Sequence, residues 1–161
     1  YYKFGGKERK MRKNAETWMG IRAVLRLYEK MLRKVCARHQ LTGTEADVIG
    51  FLHNNPGKDT AADIVELRGL SKGAVSKAVD SLIRKSMLEK IPDEKDRRKQ
   101  HLCLRSEAQS VREDIESVQE EFWDTVLEGF TAAELEGYEQ FKKKLLKNIE
   151  QATERMKDNE S

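Results

Sequence analysis

Apolar residues recur along much of this chain at alternating steps of three and four, the spacing that lays one stripe down an α-helix. Trp18, Ile21, Leu25, Tyr28, Leu32 and Val35 form such a stripe and predict a long first helix ending near His39. Leu41-Thr42-Gly43-Thr44 breaks the pattern. Thr44 is a suitable cap for a second helix, Glu45 to about His53, which Asn54-Asn55-Pro56-Gly57 ends. Thr60 caps a third helix to about Leu67, and after Arg68-Gly69-Leu70 Ser71 caps a fourth to about Lys85. Two short helices joined across a glycine-containing turn read as a helix-turn-helix.

The period then changes. Met87–Ile91 and Gln100–Leu104 read as two short strands, and Pro92–Lys99 between them makes a hairpin with a long charged tip. Helical spacing returns after two segments patterned as capping boxes, Ser106-Glu107-Ala108-Gln109 and Thr131-Ala132-Ala133-Glu134. Val111, Ile115, Val118, Phe122 and Val126 stripe the first of these helices. Leu135, Tyr138, Phe141, Leu145, Ile149 and Met156 stripe the second, with Gly129 near the break. A small winged domain offers such long helices no partner, whereas the same helices of a second subunit would cover their stripes. The expected fold is mainly α with a small β-hairpin wing. A winged helix-turn-helix at 41–105 is flanked by helical dimerisation segments at 8–39 and 106–157, all in one unit, 1–161.

Composition sharpens this picture. The chain has 161 residues, 38% hydrophobic and 37% charged, with two prolines, which suits one domain of surface-rich helices. No apolar run approaches the roughly 18 residues that cross a bilayer, and YYKFGGKERK lacks the apolar stretch of a secretory signal. The expectation is a cytoplasmic protein without a membrane partner. The net charge of +3 hides a segregated distribution. Residues 1–39 carry 12 Lys and Arg against 3 Asp and Glu, residues 68–99 carry 10 against 5, and residues 106–141 carry 1 against 11. One face is thus suited to a polyanion and another is not.

The fourth helix lies in the middle basic segment. Val75, Val79 and Leu82 face inward, leaving Lys72, Ser76, Lys77, Asp80 and Arg84 outside. A helix fits the major groove of duplex DNA, where residues near its N-terminus reach base edges and flanking groups hold phosphates. Ser71, Lys72, Gly73, Ser76 and Lys77 supply hydroxyls, cations and a gap for close backbone approach; Arg84 and Lys85 suit phosphates. The same residues would also serve as an ordinary solvated face, so the wing decides. Arg97, Arg98 and Lys99 set three consecutive cations at its tip. They could follow the sugar-phosphate edge or insert an arginine into the minor groove. Asp96 is read as the orienting residue, holding the Arg98 guanidinium in a bidentate pair.

These features resemble the multiple antibiotic resistance regulator (MarR) family of winged-helix transcription factors over nearly the whole chain. LSKGAVSKAVDSLIRKSMLEK and the wing DEKDRRKQHLCL carry the likeness. Asp96, Arg98 and Leu104 meet the family's wing pattern of Asp-x-Arg, five residues, then Leu-Thr. Arg105 stands where threonine is usual, leaving Ser106 to cap the next helix, and Ser86 stands where a glycine often ends the recognition helix. The resemblance implies a triangular homodimer joined through helices 1, 5 and 6. Its two lobes would read a pseudo-palindromic operator with Ser71–Lys77 in the major groove and Arg98 in the minor groove. It also implies a repressor released by a small aromatic or apolar effector.

Some relatives sense oxidants through a cysteine in the first helix. Arg33, Lys34, Arg38 and His39 lie near Cys36 and could depress its thiol pKa. The stronger reading of Cys36, and of Cys103 in the wing, is packing. His39, His53 and His101 lack metal-ligand spacing with each other or with the cysteines, so neither a metal nor another cofactor is expected. Trp18, Tyr28, Phe51, Trp123 and Phe130 could line an effector pocket, but the stronger reading of each is ordinary core or dimer interface. With neither a nucleophile elbow nor a phosphate loop, the chain is not read as an enzyme. The competing function is a winged-helix module for protein contacts or non-specific DNA architecture.

Overall fold

The computed structural model describes residues 2–4, 7–9, 15–96 and 98–159. Its elements run β1 (Tyr2–Phe4), β2 (Lys7–Arg9), α1 (Ala15–Arg38), α2 (Gly43–Asn54), α3 (Ala61–Arg68), α4 (Lys72–Arg84), β3 (Leu88–Pro92), β4 (Gln100–Leu104), α5 (Gln109–Val126) and α6 (Ala132–Asn159). The fold class is the expected one, mainly helical with a β-hairpin wing. The antiparallel pair β1 and β2, in register Tyr2 to Arg9, was not expected. The chain forms two compact units, Tyr1–Phe122 and Trp123–Ser161.

The core of the first unit gathers the inward stripes of several elements. Leu32 and Val35 of α1, Val48, Ile49 and Phe51 of α2, and Ile64 of α3 are buried together. Val75, Val79 and Leu82 of α4, Leu88 and Leu102 of the wing, and Val111 and Ile115 of α5 join them. Gly50 lets α2 approach α5 closely, since a Cβ there would sit 3.4 Å from the Ile115 side chain. Tyr28 packs its ring edge-on against Phe122, with centroids 5.4 Å apart, and its hydroxyl accepts a hydrogen bond from the Gln119 amide at 3.2 Å.

Local chemistry sets the helix ends. Thr42, rather than Thr44, caps α2: its hydroxyl accepts the Glu45 N–H at 3.2 Å, while the Glu45 carboxylate accepts the Thr42 N–H at 2.6 Å. Glu45 in the third helical position makes Thr42 the reciprocal partner, which moves the start upstream. Thr60 and Asp63 form the same box at α3, and Thr131 and Glu134 form it at α6. Ser106 does not cap α5. A single 3-10 turn, Ser106–Ala108, precedes that helix, and the Ser106 hydroxyl donates to Glu107 instead. Arg105 binds Glu89 at 3.2 Å and Glu107 at 3.6 Å, joining the wing stem to the start of α5.

Two helices end on left-handed residues that are not glycine. After α1, Gln40 has φ +53° and the Leu41 N–H donates to Cys36 O at 2.8 Å. After α4, Ser86 has φ +58° and the Met87 N–H donates to Leu82 O at 2.9 Å. Both are Schellman closures in which the αL position ordinarily favours glycine. Ser86 therefore takes the same turn into the wing that a glycine would. Lys85 ties the two closures together: its Nζ donates to Gln40 O at 2.8 Å and to the buried Glu45 carboxylate at 2.9 and 3.1 Å. Lys85, expected to suit phosphates, is thus engaged by an internal carboxylate. Burial pushes the Glu45 carboxyl up, but the Ser81 hydroxyl, the Thr42 N–H and Lys85 together hold it at about 2.

Candidate nucleic-acid interface

Helix α3, the turn at Gly69 and helix α4 form the helix-turn-helix. Gly69 takes φ +64°, which closes α3 within one residue and sends the chain directly into the next cap. Ser71 is that cap, its hydroxyl accepting the Ala74 N–H at 3.2 Å. Val75, Ala78, Val79 and Leu82 turn into the core, and this fixes which face is left outside. Ser71, Lys72, Gly73, Ser76, Lys77 and Arg84 are all exposed. Lys72, Ser76 and Arg84 share one ridge at steps of four and eight, while Gly73 and Lys77 form the next.

The first turn of α4 contains no acidic residue, so the positive end of the helix dipole stands uncompensated beside Lys72. A Cβ at Gly73 would meet nothing within 4 Å, so the backbone there is open to a close approach from outside. Asp80, the one carboxylate on this face of α4, is paired with Lys90 of β3 at 3.1 Å. That contact joins α4 to the wing. Lys72, Ser76 and Lys90 also line an open groove of about 380 Å³ whose floor is Ala61, Ala62, Val65, Val75 and Val79.

The wing pairs β3 with β4 in the register Leu88 to Leu104 and Pro92 to Gln100. The Asp93 N–H donates to Lys99 O at 3.1 Å, and the Lys99 N–H to Asp96 O at 2.8 Å, closing the tip. Arg98 extends from it almost fully exposed, with 93% of its side chain accessible. Lys99 is exposed beside it. Arg97 lies outside the described residues. Asp96 acts differently from the bidentate pairing expected. Its Oδ1 accepts the Arg98 backbone N–H at 3.0 Å and meets Nε at 3.4 Å. One oxygen serves both contacts, so Asp96 shapes the turn that carries Arg98 and engages the guanidinium only through Nε.

Sequence reasoning missed the polar network at the wing base. His101 of β4 stands between Asp59, 2.7 Å from Nδ1, and Asp93, 3.0 Å from Nε2. The second Asp93 oxygen accepts the N–H groups of Lys95 and Asp96 at 2.8 and 2.7 Å. The spacing of Asp93 from those amides signals an Asx turn. The tie to Asp59, 42 positions away, has no local signature.

The other candidates are dispersed. Tyr28 and Phe51 border a cavity of about 60 Å³ with Asp47, Asn54, Asn55, Arg68 and Gln119, which is water-sized and polar. Trp18 and Phe130 are exposed, and Trp123 borders a separate groove with Leu127, Leu135 and Tyr138. A larger recess, about 380 Å³, runs between α1 and α2 along Tyr28, Leu32, Arg33, Cys36 and Thr44. Burial raises the Cys36 thiol pKa, and Asp47 and Glu45 raise it further, so the cations near it in sequence do not activate it. Burial, Asp59 and Glu89 likewise raise Cys103. Among the described residues, no three His, Cys, Asp or Glu side chains gather as metal ligands, and no helix is long and apolar enough to cross a membrane.

Residues 39–99 match the family model described as MarR family. That span holds α2, the helix-turn-helix and most of the wing. This segment is similar to the winged helix of the MarR family. Solved structures share the fold well beyond this MarR segment. A MarR family transcriptional regulator from Silicibacter pomeroyi has 17% identity and a TM-score of 0.72, over 85% of this chain and 91% of its own. The S. aureus MepR–DNA complex has 17% identity and a TM-score of 0.68, over 86% and 99%. Bordetella bronchiseptica BpsR, whose DNA binding is regulated by 6-hydroxynicotinic acid, has 18% identity and a TM-score of 0.63, over 81% and 98%. No curated protein matches the chain in sequence.

Proposed function

We propose that this chain is a sequence-specific DNA-binding transcription regulator, a homodimeric repressor that a small-molecule effector releases from a pseudo-palindromic operator. The observation that carries the reading is the exposed, acid-free start of α4 beside a wing tip that projects Arg98. Ser71, Lys72, Gly73, Ser76 and Lys77 meet the major groove, Arg84 and Lys99 hold phosphates with Arg97, and Arg98 enters the minor groove. Asp96 sets the turn from which Arg98 leaves. MepR bound to DNA and BpsR regulated by a small aromatic acid support the same roles here.

Dimerisation follows from the stripes that one chain leaves uncovered. Trp18, Ile21 and Leu25 on α1, and Phe141, Leu145, Ile149 and Met156 on α6, are large, apolar and exposed. Apolar residues in such numbers on long helices mark an association surface. The dimerisation segments are accordingly 8–39 and 106–157, and the winged helix is 41–105. The recess along Tyr28, Leu32 and Arg33 suits an effector with an aromatic body and an anionic group.

Competition titrations of Lys77→Ala and Arg98→Ala on a selected duplex and a random one test the assignment. Lys77→Ala should narrow the gap between the two duplexes, and Arg98→Ala should weaken binding to each and flatten its salt dependence. A folded, dimeric Arg98→Ala protein with unchanged affinity would remove the wing from the interface. Equal wild-type affinity for both duplexes, governed almost wholly by salt, would favour an architectural DNA-binding module instead.

A further inference from the structure

We propose that His101 is a positioning residue for the wing: as an imidazolium it clamps Asp59 and Asp93 together, and its loss of a proton loosens the turn that presents Arg98. The geometry carries this. A carboxylate only accepts hydrogen bonds, and a neutral imidazole has one N–H, so a ring held at 2.7 and 3.0 Å between two carboxylates is satisfied on both sides only when both nitrogens are protonated. When the proton leaves, a ring lone pair faces one carboxylate and that contact turns repulsive.

The clamp spans two parts of the DNA-facing unit. Asp59 precedes the cap of α3, and its carbonyl also accepts the Leu102 N–H at 2.7 Å, so the helix-turn-helix grips β4 through backbone as well as side chain. Asp93 faces the other way, with its second oxygen on the Lys95 and Asp96 amides. Asp96 in turn holds the Arg98 N–H. A chain of contacts thus runs from Asp59 through His101, Asp93 and Asp96 to the exposed arginine.

The charges around the ring set the direction of its titration. Asp93 on the hairpin loop and Asp59 before α3 raise the His101 pKa above 6.5, while desolvation and Lys99 oppose them. His101 holds Asp93 at about 2, aided by the two backbone amides, so that carboxylate stays anionic throughout the neutral range. A histidine whose folded pKa is raised stabilises its surroundings fully below the unfolded value and stops doing so as pH rises through the folded one. The wing is therefore tightest on the acid side of neutrality and loosens toward the alkaline side. The effect on DNA rests on the function proposed above; the clamp itself does not.

The test is a nuclear magnetic resonance titration of the DNA-free protein from about pH 5.5 to 9, following the His101 ring and the Lys95 and Asp96 amides. Binding to a random-sequence duplex is measured over the same range. His101 should titrate above its ordinary value, and both amides should shift with the same midpoint. Asp59→Asn should lower that midpoint. Wild-type affinity for the duplex should fall about threefold or more across it, while His101→Gln stays flat. Asp59→Asn should also weaken acid-side binding; stronger binding would show that His101 acts as a simple cation toward phosphate and would overturn the clamp. An unshifted His101, or amides that do not follow it, would overturn it as well. Matching pH profiles for wild type and His101→Gln would refute the positioning role. Absence of duplex binding at every pH would refute the DNA function, while the amide titration still decides the clamp.

Discussion

Helices α4 and α6 are written with the same spacing of apolar residues, yet one chain completes only the first. Val75, Val79 and Leu82 of α4 are at most 2% exposed, whereas Phe141, Leu145, Leu146, Ile149 and Met156 of α6 are 44 to 65% exposed. Helix α1 repeats the contrast within one element: Leu32 and Val35 enter the core, and Trp18, Ile21 and Leu25 do not. A stripe reports that a helix must be covered, and it is silent on which chain supplies the cover. The winged-helix core is thus completed within the single chain, and the proposed dimer is what would cover the terminal helices.

Four substitutions should break or sharpen that contrast. The largest effect belongs to Leu82→Ala, which removes a fully buried side chain from the point where α4 meets the core. It should cost about 3 to 4 kcal/mol in urea unfolding. Its reach should extend to folding of the winged helix itself, whatever the state of the terminal helices. Phe141→Glu should leave that core intact and instead raise the dimer dissociation constant roughly a hundredfold, seen by sedimentation velocity, because it places a charge on the apolar face of α6.

Lys85→Met probes the join between α2 and α4. It leaves the buried Glu45 carboxylate without its cation and should cost about 2 to 3 kcal/mol at neutral pH. The acid limb gives the sign independently. A carboxyl held at about 2 against its usual 4.5 contributes stability above the usual value and loses it as pH falls toward 2. The cost of Lys85→Met should therefore shrink as pH falls from about 4.5 toward 2, where the Glu45 carboxyl becomes neutral in both proteins. The smallest effect, about 1 kcal/mol and favourable, belongs to Ser86→Gly, since glycine takes the left-handed turn into the wing without the cost of a Cβ. A thermal melt would register it, and an unchanged or lower melting temperature would count against strain at Ser86.

What the sequence carried in plain view was local chemistry. The α4 stripe, the Ser71 cap, the change of period into the wing and the Thr131–Glu134 box all depend on residues within a few positions of one another, and all stand in the structure. Competing local signals caused the near misses. Thr42 and Thr44 are both good caps until Glu45 chooses between them, and the Ser106 pattern yields to a 3-10 turn. Tertiary partners were out of reach. Lys85 looked like a free cation because Glu45 lies 40 positions away, and His101 looked like an ordinary strand residue because Asp59 lies 42 away. For the interface, residue types and exposed positions were legible, while the means of holding the wing in place was not.

The central claim is that the exposed face of α4 and the wing read a DNA sequence. Its most direct test is a fluorescence-anisotropy titration of the duplex flanking the protein's own gene against a random duplex, at one near-physiological salt concentration. A preference of roughly a thousandfold or more is the predicted result. Equal affinity for the two duplexes would contradict it.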